Sequence, residues 1–66
     1  MAMVDGQRVQ VGDWVCFKSD IEQSGQITAV LSEGRLVLTN PNGFQGHYIG
    51  GLETTIQSAR DCWLEG

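Results

Sequence analysis

The chain has 66 residues, with four basic and eight acidic side chains, a net charge of −4 and two cysteines. A domain of this size buries only about 60% of its unfolded surface, so there is one small core and no room for a second domain. The cations Arg8, Lys18, Arg35 and Arg60 are scattered singly and form no basic stripe of the kind that displaces counterions from phosphates, which argues against a nucleic-acid partner.

Taken in chain order, residues 1–10 read as an added edge segment or a flexible lead into a single 1–66 domain. The opening MAMVDGQRVQ lacks the basic and then apolar regions of a signal peptide. No apolar run approaches the roughly 20 residues that span a bilayer. The expected compartment is the cytoplasm, with no membrane partner and both thiols reduced. Gly12-Asp13 is a turn pair in front of the first clear strand, DWVCFK, which sets Trp14, Cys16 and Lys18 on one face and Val15 and Phe17 on the other. SDIEQSG reads as a polar loop ending at Gly25. QITAVLS follows as a strand with Ile27, Ala29 and Leu31 alternating against Gln26, Thr28 and Val30. Glu33-Gly34 makes a tight hairpin turn, and RLVLTN returns with Leu36 and Leu38 on one face.

Asn40-Pro41-Asn42-Gly43 is a strong turn, because proline presets one dihedral and Asn-Gly tolerates positive φ. HYI and TTIQ read as short extended pieces. SARDC is long enough for one helical turn, with Ser58 as N-cap, and CWLE closes the chain as a last strand. The expectation is an all-β domain, a small five-stranded SH3-like barrel with one short 3-10 turn before the last strand.

The segment NPNGFQGHYIGG, residues 40–51, concentrates the candidate site. It holds four of the nine glycines and the single proline, histidine and tyrosine of the chain. Phe44, His47 and Tyr48 can form an aromatic platform, while Asn40, Asn42 and Gln45 supply amide donors and acceptors. Such a set suits a planar, hydrogen-bonding ligand or a peptide. The competing reading is a turn whose Phe44 and Tyr48 fold back as lids over the core. The expected binding residues are Asn42, Phe44, Gln45, His47, Tyr48 and, from the first strand, Trp14.

Catalysis needs a nucleophile beside a base, and His47 has no acid nearer in sequence than Glu53. The chain is therefore expected to be no enzyme, with no catalytic residues, cofactor or metal. Cys16 and Cys62 have neither CxxC nor Cys/His metal spacing. They are expected to pack across the first and last strands, with a cross-strand disulfide open to them on oxidation. Trp63 is expected inside and Trp14 outside as an interface anchor.

Three resemblances rest on quoted residues. In VGDWVCFKSDIEQSGQITAV, Gly12, Asp13, Val15, Gly25 and Ile27 match a KOW-type opening, which would imply a KOW- or Tudor-like nucleic-acid-associated barrel. The same stretch is similar to the plasmid-borne type II dihydrofolate reductases at Gly12-Asp13, Val15, Lys18-Ser19 and Gly25-Gln26-Ile27. That family is tetrameric, and a Val-Gln-Ile-Tyr strand in its pore binds folate and nicotinamide cofactor. Here Thr54-Thr55-Ile56-Gln57 keeps only Ile56, so the likeness implies the fold and oligomerisation, with a reductase as the alternative function. Across GDWVCFKSDIEQSG, LTNPNGF and DCWLE the chain resembles short phage and prophage proteins. That resemblance implies a mobile-element setting. The functional expectation is a non-enzymatic, homo-oligomeric binding module that binds a host protein or sequesters a small nucleotide-like molecule.

Overall fold

The computed structural model describes residues 2–19, 21–44 and 54–65. Within them the protein is all-β, with two antiparallel sheets and helical geometry only in single 3-10 turns. The smaller sheet is the hairpin of β1 (Ala2–Val4) and β2 (Gln7–Val9). The larger one runs β3-β4-β5-β6 in sequence order, built from β3 (Trp14–Ser19), β4 (Ile21–Val30), β5 (Arg35–Thr39) and β6 (Thr54–Ser58).

Residues 2–9 fold as the β1–β2 hairpin, a two-stranded sheet added to the large one. Asp5 and Gly6, at φ 52° and 76°, link Val4 to Gln7 with both central residues left-handed, as a type I′ hairpin turn requires. Ala2, Val4 and Val9 are buried, and the Leu64 amide donates to Asp5 Oδ2 at 2.7 Å, fastening the hairpin to the chain end. The expected Glu33-Gly34 turn is present. Both residues have positive φ, and the Arg35 amide bonds the Ser32 carbonyl.

SDIEQSG was expected as a loop, and here the structure differs. β3 and β4 stay paired from Trp14↔Gln26 out to Ser19↔Ile21. Ladder hydrogen bonds are indifferent to side-chain polarity, and this end of the hairpin, exposed at Ile21 and Glu22, runs past the core. The expected alternation in QITAVLS also breaks. The β4–β5 register slips between Ile27 and Ala29, so Ala29 pairs with Val37 and Val30 with Leu36. A bulge of this kind turns the following residues over. Ile27 is buried, whereas Ala29 is half-buried and Val30 packs against the core.

The core gathers Val15, Phe17, Ile27, Leu36 and Leu38 from the large sheet with Phe44, Ala59 and Cys62 beyond it. Ala59–Asp61 forms the expected helical turn, but Ser58 makes no side-chain cap hydrogen bond. The expected last strand is a single bridge, Cys16↔Trp63, with amide–carbonyl distances of 2.8 and 2.9 Å. β3 and β6 are thus the two edges of the four-stranded ladder.

Candidate functional site

The turn at residue 40 is held from within. Asn40 Oδ1 accepts from the Asn42 amide at 2.9 Å, its carbonyl accepts from the Gly43 amide at 2.8 Å, and its Nδ2 donates to the Ser24 carbonyl at 3.0 Å. The Asn40 amide is thereby committed to an Asx turn and a tether to β4. Asn42 is exposed. Phe44 is only 2% exposed, and its ring meets Phe17 edge-on, with centroids 5.4 Å apart and planes at 67°. Its ring lies against Gly25, where no side chain intervenes. Phe44 therefore occupies the lid arrangement and presents no ring face to solvent. Gln45, His47 and Tyr48 lie outside the described residues.

Trp14 stands outward as expected, 49% exposed on β3 opposite Gln26. Trp63 differs from its expected place inside. Paired residues of an antiparallel bridge point to the same side, and Cys16 shares the outer face with Trp14, so Trp63 joins them there. The two tryptophans flank Cys16 on one sheet face. Beside them a cleft of about 330 Å³ is lined by Cys16, Glu22, Gln23, Ser24, Trp63 and Glu65. The Cys16 thiol is pushed above its ordinary 9.0, first by burial and then by the charges of Glu65 and Glu22. It is a protonated, poorly nucleophilic thiol at neutral pH.

Cys62, one residue before Trp63, points to the opposite side and is buried. Its Sγ donates to the Ser58 carbonyl at 3.4 Å, and burial together with the Asp61 charge pushes its pKa up to about 11. Both thiols are free. The expectation that they pack against one another across the strands fails on period-2 alternation, which puts them on opposite faces.

Pattern reading missed a second grouping. Arg35 and Arg60, isolated in sequence, line one cleft of about 540 Å³ with Glu33, Ser58 and Met3, where the Ser32–Arg35 turn approaches β1 and the turn Ala59–Asp61. The signal was the register, which sets Arg35 opposite Ser58. Among the described residues no group of three or more His, Cys, Asp or Glu is placed to hold a metal ion, and no helix is long and apolar enough to cross a membrane.

Family models, curated proteins and solved structures were each compared with the chain, and none matches.

Proposed function

We propose that the chain is a non-enzymatic binding module on an SH3-like barrel, and that it takes a protein partner on the outer face of β3. The observation that carries this is the placement of both tryptophans on that one face, with Trp14 half-exposed and Trp63 lining a cleft. Exposed tryptophan brings large contact area at small entropic loss and is the residue most enriched in binding hot spots. The barrel reading is supported by the order of elements: a long β3–β4 hairpin, a strand bent at a bulge, the β4–β5–β6 meander, a 3-10 turn and a return to β3. A phage or other mobile-element setting, and hence a host protein as partner, rests on the sequence resemblance. The cytoplasm suits two free thiols turned to opposite faces.

The test is selection of a peptide-display library on the wild-type domain, with counter-selection on Trp14→Ser. Convergent sequences that lose binding to the variant support the module. A library that never converges, or converges on sequences indifferent to Trp14, overturns the siting.

Self-association is favoured by a separate observation. Ile56, 53% exposed on edge strand β6, lies beside Val37 on the outer face. Light scattering should then show a homo-oligomer that Ile56→Lys dissociates, and a wild-type monomer at high concentration would exclude it. The reductase alternative would draw on Lys18 of β3 and Ile56 of β6, brought together in a pore shared between subunits.

A further inference from the structure

We infer that the cleft beside Trp63 receives the ammonium or guanidinium group of a lysine or arginine on the partner protein, with Glu22 and Glu65 as its counter-charges. This rests on the binding-module reading and adds the chemistry of the partner. Four features of the face carry it. Glu22 and Glu65 come from β4 and from the chain end, 43 positions apart by their numbers, and line the same cleft as the Trp63 indole. An aromatic face bordered by carboxylates is the arrangement that attracts a cation, through the ring quadrupole and through charge. The negative field is felt at the floor, where both carboxylates raise the Cys16 thiol further than burial alone does. The whole chain carries −4, so the long-range field also draws a basic partner. One local cation opposes this, since Lys18 stands across from Glu22 in the β3–β4 register. Glu65 has no basic residue beside it in sequence. A cleft lined by two carboxylates and a tryptophan fits a basic side chain presented by a peptide.

The probes are Nα-acetyl-arginine amide and Nα-acetyl-lysine amide, with Nα-acetyl-glutamine amide as the neutral control, followed by NMR at the indole N–H of each tryptophan. The expected result is a saturable shift of the Trp63 indole with both cationic probes and little with the neutral one. Affinity should fall about tenfold or more in the double variant Glu22→Gln/Glu65→Gln, and should weaken as salt screens the charges. An equal shift with the glutamine amide, no shift with any probe, or affinity indifferent to both the double variant and salt would overturn the inference. Should the double variant not fold, the salt series on the wild type decides alone. Peptide selection separates this proposal from the one beneath it. Trp14-dependent convergence on neutral or acidic sequences would overturn the basic partner while the module stands. Failure to converge would overturn both.

Discussion

At Gly25 the difference between hydrogen and methyl is felt by two neighbours at once. A Cβ there would lie 3.0 Å from Leu38 Cβ and 3.2 Å from two Phe44 ring atoms. Gly25→Ala should cost about 1–3 kcal/mol as the ring is pushed off the sheet, seen as a lower denaturant midpoint with unchanged m. At Cys62 the effect is one of protonation. The folded state holds the thiol proton to about pH 11 against an ordinary 9.0, so folding favours the protonated form. Stability from this group is fully present below pH 9 and is lost as pH rises towards 11. Wild type should lose more stability over that window than Cys62→Ala, and parallel pH profiles would refute the assignment. The inward and outward sets of β3 were legible in the sequence, because Val15 and Phe17 alternate with Trp14 and Cys16. The side taken by Trp63 was not, since moving the register of one bridge by one residue turns every side chain over.

Among the elements, the β1–β2 hairpin shows a signal that is present in the sequence and easily passed over. Asp5-Gly6 between Val4 and Gln7 is a strong hairpin dipeptide, but three-residue strands on either side are too short to show a period. Gly6 has φ +76° with nothing within 4 Å of a prospective Cβ, so Gly6→Ala tests the backbone alone. It should cost about 1–2 kcal/mol, the left-handed penalty for an L-residue, read as a drop in Tm. The hairpin's amides should lose hydrogen-exchange protection before those of β4 and β5. β4 carries the opposite lesson. Its first half is polar yet fully paired to β3, and its bulge at Thr28 reverses the faces beyond it. Neither property has a composition signature, because partners on neighbouring strands create both.

For the whole molecule, the first hairpin's contribution is large against a small total. Burying Val4 and Val9 is worth about 3–6 kcal/mol, of the order of the full stability of a domain this short. A chain lacking residues 1–9 should therefore show no cooperative thermal transition by circular dichroism. Retention of a sharp transition would mean that the large sheet and the chain end suffice for a core.

The sequence by itself determined the all-β class, the Glu33-Gly34 and Asn40–Gly43 turns, the inward pair Leu36 and Leu38, and the single helical turn before Cys62. These are local matters, set by dihedral preferences and by period-2 alternation within a few residues. Only the tertiary structure decided that Phe44 is core, that both tryptophans share an outer face, that the two cysteines turn apart, and that Arg35 and Arg60 line one cleft. Each of these depends on which strand lies beside which and in what register. That information resides in pairs of residues tens of positions apart, held together by the burial of one shared core.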